Sequence, residues 1–222
     1  MGLHVPRVVW IGVPLLGFTA GLINAAGYLG FERQAISHLT GTTSLTALAL
    51  GKARWALALQ LASVIGSFVA GGYAAGLILR AREPFWTYAG LLGAQNLLLL
   101  CSATLLNQGN SFGASMAAAA CGLQNAMTTF YRASAIRSTH MTGFFTDMGL
   151  LLGQATRGEP LPWRRIVLGT LVLGAFVTGG IVASLTLPRW GFSILNGSAA
   201  INGFMAMMLG IRLLWDRLQP AL

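Results

Sequence analysis

Charge is what this sequence has least of. Only 9% of its 222 residues are charged, and five acidic residues stand against fourteen basic ones, of which one is a lysine. A soluble domain has about 25% charged residues. The sequence is instead 55% hydrophobic, with a mean hydropathy of +0.68. The shortage of charge therefore excludes an ordinary soluble domain and predicts an integral membrane protein.

Cysteine and the usual catalytic motifs are also scarce. Cys101 and Cys121 lie in or beside apolar runs and match no metal-binding spacing, so we expect two buried thiols rather than a disulfide. No Ser-His-Asp order, His-Glu-x-x-His motif or Walker loop occurs in a form that chemistry would need. The sequence thus predicts no metal, no cofactor and a protein that is not an enzyme.

Six apolar runs are each close to the roughly 20 residues that a helix needs to cross hydrocarbon. They are residues 8–29, 56–79, 86–106, 112–131, 166–187 and 192–214. These runs predict an all-α, polytopic bundle embedded in a lipid bilayer. The basic residues cluster at the ends of the runs, where they orient the chain and meet anionic head groups, so we expect no nucleic-acid partner.

The chain contains one unit twice. Residues 20–51 align with residues 121–153, with Gly21 on Gly122, His38 on His140 and Gly51 on Gly153. Further on, Trp55 and the glycine-rich stretch after it recur at Trp163 with an offset of 108 residues. Matched elements in one order predict a duplication within a single membrane domain, residues 1–222, with repeat one at 8–106 and repeat two at 111–217.

The number of crossings in each repeat decides how the two repeats are oriented. If the two short polar segments enter the membrane and return, six helices cross, the repeats are inverted and the basic residues divide ten against four. If those segments also cross, eight helices give parallel repeats and a division of eight against six. The stronger charge bias favours inverted repeats. A tilted helix over residues 35–51 is long enough to keep the second arrangement open.

Polar chemistry concentrates in a His-x-Thr-Gly element that occurs once in each repeat. Its glycine loosens the backbone, its hydroxyl and imidazole groups can bind a solute, and the helix that follows offers a partial positive charge. Paired broken helices are typical of transporters. The alternative is that Thr-Gly marks tight packing, with the histidines and asparagines in structural hydrogen bonds. The candidate binding residues are Asn24, His38, Thr40, Gly41, Thr42, Gln124, Asn125, His140, Thr142 and Gly143.

Asp147 stands out among the acidic residues because it lies inside an apolar helix, seven residues after His140. A carboxylate there is costly and is by default a functional hypothesis. Its candidate partners are His140, Arg137 and His38. It would serve either proton or cation coupling or a structural ion pair.

Other amide side chains lie inside apolar runs. Gln95, Asn96 and Asn202 could line a polar path, but no spacing connects them. The sequence therefore assigns them no specific role.

The chain resembles the YoaK family of bacterial membrane proteins, catalogued as a domain of unknown function, over nearly its whole length. The residues that carry the resemblance are Gly21-x-x-Asn24-Ala25, His38-x-Thr40-Gly41, Gly122-Leu123-Gln124-Asn125-Ala126 and Thr139-His140-Met141-Thr142-Gly143-x-x-Thr146-Asp147-x-Gly149. The family usually has an acid at Asn24 and an asparagine at Thr42, so cation or proton binding by the first copy is weakened. The resemblance implies a multi-pass protein of the bacterial inner membrane and brings no established activity.

These observations favour a transporter or channel for a small polar or ionic solute. The runner-up is a non-transporting scaffold, sensor or partner subunit, and the third hypothesis is an intramembrane enzyme that uses His140 and Asp147. The sequence leaves open the solute, the coupling ion, the direction of transport and whether the chain forms a homo-oligomer.

Overall fold

The computed structural model describes residues 7–30, 35–79, 85–130 and 141–218. Within these ranges the chain is all-helical and contains no strand, which confirms the predicted all-α class. The α-helices are α1 Arg7–Gly30, α2 Leu39–Gly51, α3 Trp55–Ile78, α4 Phe85–Asn107, α5 Phe112–Phe130, α6 Met141–Thr156, α7 Trp163–Trp190 and α8 Leu195–Leu218, with a 3-10 helix at Gly191–Ile194 between the last two.

Most of the long helices are apolar enough to span a bilayer. Among the described residues, four stretches qualify by length and composition: Val9–Gly30, Trp55–Ile78, Trp86–Asn107 and Trp163–Ile211, the last of which contains α7 and most of α8. Helix α5 is less apolar, but twelve of its nineteen residues are buried against its neighbours. Helices of this length and composition agree with the predicted membrane protein.

The two cysteines differ in their surroundings. Both are free thiols, as expected, and Cys121 is buried in α5. The expectation that Cys101 is buried is wrong, because this residue lies on an exposed face of α4. An apolar run predicts that a helix forms but not which of its faces turns away from the bundle.

Helices α1 and α7 pack backbone against backbone. A Cβ atom on Gly21 would overlap the carbonyl oxygen of Phe176, and a Cβ atom on Gly179 would overlap that of Phe18. Glycine is what allows this approach, as in other close helix pairs in membranes. Residue numbers rise together along the contact, since Gly17 lies beside Val172, so the two helices run in the same direction.

Helices α3 and α5 pack in the same way. A Cβ atom on Gly71 would overlap the carbonyl oxygen of Ala119, and one on Gly122 would overlap that of Phe68. These glycines are the ones that the sequence alignment matches to Gly179 and Gly21. The first helix of each repeat therefore packs against the third helix of the other repeat. Helix α1 packs against α7, and α5 packs against α3.

One end of the bundle, called here the first end, contains the ends of α1, α4 and α7 and the starts of α5 and α8. The end of α1 lies beside Phe192, and Asn107 at the end of α4 accepts a hydrogen bond from the Phe192 backbone N–H at 2.9 Å. Helix α5 begins there too, because Ser102 donates to the carbonyl of Gly113 at 2.8 Å. Helices α1, α4 and α7 thus run toward the first end, and α5 and α8 run away from it toward the second end.

The two short helices fold back against longer ones. A tight turn joins α2 to α3, in which the Arg54 N–H donates to the carbonyl of Ala49 at 2.8 Å. Helix α6 lies on α7, where the ring of Phe144 fills the space beside Gly169. In both hairpins the short helix is antiparallel to the long one. Helix α3 begins near the first end, and α7 begins near the second end.

Candidate functional site

The first His-x-Thr-Gly element is anchored on α1 and α7. The Ser37 backbone N–H and hydroxyl both lie within hydrogen-bond distance of the Asn24 side-chain oxygen, at 3.2 and 3.1 Å. The His38 ring meets the ring of Phe176 edge-on, with 5.0 Å between centroids, and its Nδ1 is 3.0 Å from the Ser37 hydroxyl. Asn24 is therefore an acceptor that holds the loop before α2, and His38 is positioned by an aromatic contact.

The residues after His38 differ in what they present. Thr42 is fully buried, and its hydroxyl donates to the carbonyl of Ala35 at 2.7 Å, so it closes the loop on the helix. Thr40 and Gly41 are exposed in the first turn of α2. His38 precedes that turn and makes no side-chain capping hydrogen bond. The first turn of α2 thus keeps a hydroxyl and uncapped backbone amides at its surface.

Helix α2 begins inside the bundle. Ser37 lies against Ala20 and Asn24, whereas α1 continues to Gly30 at the first end. Six residues of helix between Asn24 and Gly30 correspond to about 9 Å. From that depth α2 runs back to the first end, where the turn into α3 lies.

The second element is described only from Met141 onward, because His140 and Arg137 lie outside the described residues. Thr142 is exposed and Gly143 half-buried in the first turn of α6. Met141 is buried in a cluster formed by α1 and α7, which contains Val172 and against which Phe176 packs. The start of α6 is therefore fixed at about the middle of α7.

The starts of α2 and α6 both approach α7. His38 contacts Phe176, and Met141 shares a cluster with Val172, four residues earlier on the same helix. Four residues of α-helix span about 6 Å. The first turn of α2, with Thr40 and Gly41, and the first turn of α6, with Thr142 and Gly143, thus come toward α7 from opposite ends of the bundle.

Asp147 has a partner that the sequence did not predict. Its Oδ2 is 2.6 Å from Nη2 of Arg165 in the first turn of α7, and the two side chains are about 40% exposed. Of the expected partners, only His38 lies among the described residues, and Arg165 takes its place. The hairpin of α6 and α7 explains this, since it brings residues 18 positions apart face to face.

The first repeat carries an apolar contact where the second has this ion pair. By the alignment offsets of 102 and 108, Asp147 matches Leu45 and Arg165 matches Leu57. Both leucines pack against a buried cluster of Ala49, Ala58 and Leu61 that joins α2 to α3. The match indicates that the Asp147–Arg165 pair holds a hairpin together.

We expect the Asp147–Arg165 pair to be replaceable as a unit. Arg165→Leu should destabilise the protein by about 1 kcal/mol, because Asp147 loses its partner in an ion pair that is only partly buried. The double variant Asp147→Leu with Arg165→Leu should recover most of that loss, as apolar replacements of ion pairs often do. Thermal unfolding of the two single variants and the double variant in detergent measures the coupling; additive losses would contradict the structural role.

Gln124 belongs to a different polar group from the two Thr-Gly elements. It is fully buried, donates to the carbonyl of Leu16 at 2.8 Å and accepts from Gln95 at 2.6 Å. The Thr19 hydroxyl lies 3.3 Å from the same Gln124 oxygen. The neighbouring Asn125 is only half-buried, and its backbone carbonyl accepts from two threonine hydroxyls of α5. Of these two candidates, Gln124 binds α1 and α4 in the bundle interior.

Sequence reasoning considered Gln95, Asn96 and Asn202 and found no pattern among them. In the structure Gln95 and Asn202 are fully buried. Gln95 and Asn96 belong to α4 and Asn202 belongs to α8, so no spacing along the chain could connect Asn202 with the other two. Their only shared signal is that each amide falls near the middle of an apolar run.

Metal ligands do not gather in the part of the chain that the structure describes, where no group of three or more His, Cys, Asp or Glu side chains occurs.

The chain is similar to a described protein family. No curated protein and no solved structure matches this chain. A family model described as "Protein of unknown function (DUF1275)" matches residues 13–208, and YoaK is a member of that family. The resemblance drawn from the motifs is therefore confirmed, and the chain belongs to the DUF1275 family.

Proposed function

We propose that this protein is a membrane transporter or channel for a small polar or ionic solute, with a path that passes the starts of α2 and α6. The observation that carries the proposal is that His38, just before α2, contacts Phe176 of α7, and that Met141, at the start of α6, belongs to the cluster that contains Val172 of α7. Helices that begin inside a membrane expose backbone amides, which are tolerated where protein or a water-filled cavity surrounds them. Two such starts that approach the same helix are the reason to propose a solute site there.

The groups at this site suit hydrogen bonding to a solute. Thr40 and Thr142 offer exposed hydroxyls, and the first turns of α2 and α6 offer amides at the positive ends of two helix dipoles. Broken helices from two repeats that meet near the midplane are a common arrangement for substrate sites in transporters. His38, held by Phe176, stands at the edge of this region.

We also propose that six helices cross the membrane and that the two repeats, residues 8–106 and 111–217, are inverted. Helices α1 and α4 run toward the first end, whereas their matches α5 and α8 run away from it. The third helices follow the same rule, because α3 runs with α5 and α7 runs with α1. The ten-to-four division of basic residues then puts the second end in the cytoplasm of a bacterial inner-membrane protein.

Cysteine labelling from each side of the membrane tests this topology. Lys52→Cys and Arg157→Cys lie in the turns after α2 and α6. In a background with Cys101 and Cys121 replaced by serine, we expect an impermeant maleimide to reach the two positions from opposite sides. Eight crossings would put both on the same side, and that result would reject inverted repeats. Gln108→Cys is the control, because either arrangement puts it on the side of residue 52.

Solute flux into proteoliposomes tests the transport proposal directly. Among urea, formate, nitrate, sodium and potassium, we expect at least one to enter faster than into empty liposomes. Thr40→Val keeps the size of the side chain and removes its hydroxyl, so we expect flux to fall at least fivefold. Thr104→Val is the matched control, because that hydroxyl donates only within α4. If no solute enters, or if both variants behave alike, the proposal is wrong.

A non-transporting scaffold is the second candidate, and two observations favour it. Thr42 and Asp147 are satisfied by Ala35 and Arg165, as a purely structural protein would require. Thr40, Gly41 and Thr142 fit a scaffold less well, because they stay exposed beside an interrupted backbone. The flux assay separates the two candidates.

A further inference from the structure

Several amide and hydroxyl groups are buried in the middle of the bundle without hydrogen-bond partners. The buried atoms with no partner in the described chain are Gln95 Oε1, Asn96 Oδ1, Ser198 Oγ, Asn202 Oδ1 and Asn202 Nδ2. Leaving one such group unsatisfied costs about 1–3 kcal/mol. Buried polar groups are nearly always paired, so this set calls for an occupant.

The side chains near the middle of α4 form one layer, called here the amide layer, made of Thr19, Gln95, Asn96, Gln124 and Asn202. Gln95 binds Gln124, and Gln124 binds α1. The amide nitrogen of Asn96 lies 3.0 Å from the Cβ position of Gly203, next to Asn202 in α8. The layer therefore draws on α1, α4, α5 and α8.

Apolar side chains close the amide layer on both sides. Toward the second end, Leu92 of α4 and Met205 of α8 belong to one hydrophobic cluster. Toward the first end, Leu99 of α4 and Ala199 of α8 belong to another. The layer is thus a polar slice between two apolar ones, and Asn96 is the central residue of α4.

The orientation of the central amides follows from one backbone group. The Leu16 carbonyl only accepts, so the Gln124 atom that contacts it is Nε2. Gln124 Oε1 is then an acceptor, and the Gln95 atom 2.6 Å away is Nε2. Gln95 Oε1 is therefore a carbonyl oxygen without a partner. Asn202 has both amide atoms unpartnered, so exchanging its oxygen and nitrogen leaves the same kinds of atom without partners.

Charge and donor count define the ligand. The unpartnered atoms of the layer are three amide oxygens, which only accept, and the amide nitrogen of Asn202, which donates. An anion would meet mainly acceptors. A cation would meet the N–H groups of Asn202, and Asp147 and Glu159, the acids whose side chains the structure describes, are paired with arginines. The remaining class is an uncharged solute with several donors and one acceptor.

We propose that the amide layer is a binding site for a small uncharged amide of the urea class. Urea has four N–H donors and one carbonyl acceptor, which complement three unpartnered amide oxygens and one unpartnered amide nitrogen. The site lies apart from the Thr-Gly elements, on the side of α1 and α5 that faces α4 and α8. The proposal concerns binding and stands whether or not the chain transports.

Selenourea provides a probe that diffraction can locate. In crystals of the full chain grown with selenourea, we expect an anomalous selenium peak within hydrogen-bond reach of Gln95 Oε1 and the Asn202 amide. Asn202→Leu should remove the peak. Gln108→Leu, an exposed glutamine in the turn after α4, should keep it. Only water-sized density in the layer, or a selenium peak elsewhere alone, would overturn the proposal.

Thermal unfolding gives a second readout that needs no crystals. Millimolar selenourea should raise the melting midpoint of the unchanged protein and of Gln108→Leu, because a ligand bound only to the folded state stabilises it. In Asn202→Leu the apparent affinity should fall at least tenfold. Equal midpoint shifts in all three proteins would reject the site. Neither readout involves flux, so failure here leaves the transport proposal intact.

Discussion

Gly71→Ala should unfold the protein at a markedly lower temperature, whereas Gly76→Ala, five residues later in α3, should raise the unfolding temperature. Alanine normally stabilises a helix by about 1 kcal/mol relative to glycine. At Gly76 nothing lies within 4 Å of the new methyl group, so that gain should appear. At Gly71 the methyl group would overlap the carbonyl of Ala119, and α3 and α5 would have to separate.

The expected loss at Gly71 is about 3 kcal/mol or more, at the upper end of overpacking costs, because backbone cannot rotate away as a side chain can. Thermal unfolding of the purified variants in one detergent, followed by size-exclusion chromatography, measures it. Gly179→Ala should repeat the loss, since Gly179 makes the matched contact on α1. Equal stability of the Gly71 and Gly76 variants would contradict the close approach of the helices.

Asn202→Leu should stabilise the empty protein. Asn202 is fully buried with both amide atoms unpartnered, and leucine has a similar volume without polar atoms. We expect a gain of about 1–3 kcal/mol, which corresponds to roughly 2–4 °C of unfolding temperature per kcal/mol. Such a gain would indicate that Asn202 is kept for a purpose other than stability.

Asn107→Leu is the matched control for Asn202→Leu. Asn107 donates to the Ser193 hydroxyl at 3.0 Å and accepts from the Phe192 N–H. The same substitution should therefore destabilise the protein there, because two hydrogen bonds are lost. If Asn202→Leu also destabilises, the amide layer is satisfied by ordered water, and its groups are structural.

The sequence predicted the fold class well because composition determines it. Scarce charge and apolar runs of about 20 residues leave few structures other than a helical bundle in a bilayer. The predicted run 56–79 differs by one residue at each end from α3, Trp55–Ile78. The short polar segment was placed less accurately, since α2 begins only at Leu39, after a loop held by Asn24.

The candidate site was harder to predict because its contacts join residues far apart in the chain. Thr40 and Thr142 were proposed from the sequence because their motif repeats, and a repeat is visible along the chain. Arg165 was interpreted as a charge that orients the chain, and nothing in its spacing points to Asp147. The amide layer takes its members from four helices, so only a folded chain assembles it.

The exchange of partners between the two halves has a consequence for how the protein is made. The glycine face of α1 waits for α7, and Gly21 and Phe176 are 155 residues apart. At about 5–20 residues per second, a ribosome needs roughly 8–30 s to supply the missing helix. During that time the amino-terminal helix has to be shielded by lipid or by the insertion machinery. A nascent chain that stalls before α7 leaves α1 in the membrane without its packing partner. Quality-control proteases would then encounter the chain in that state.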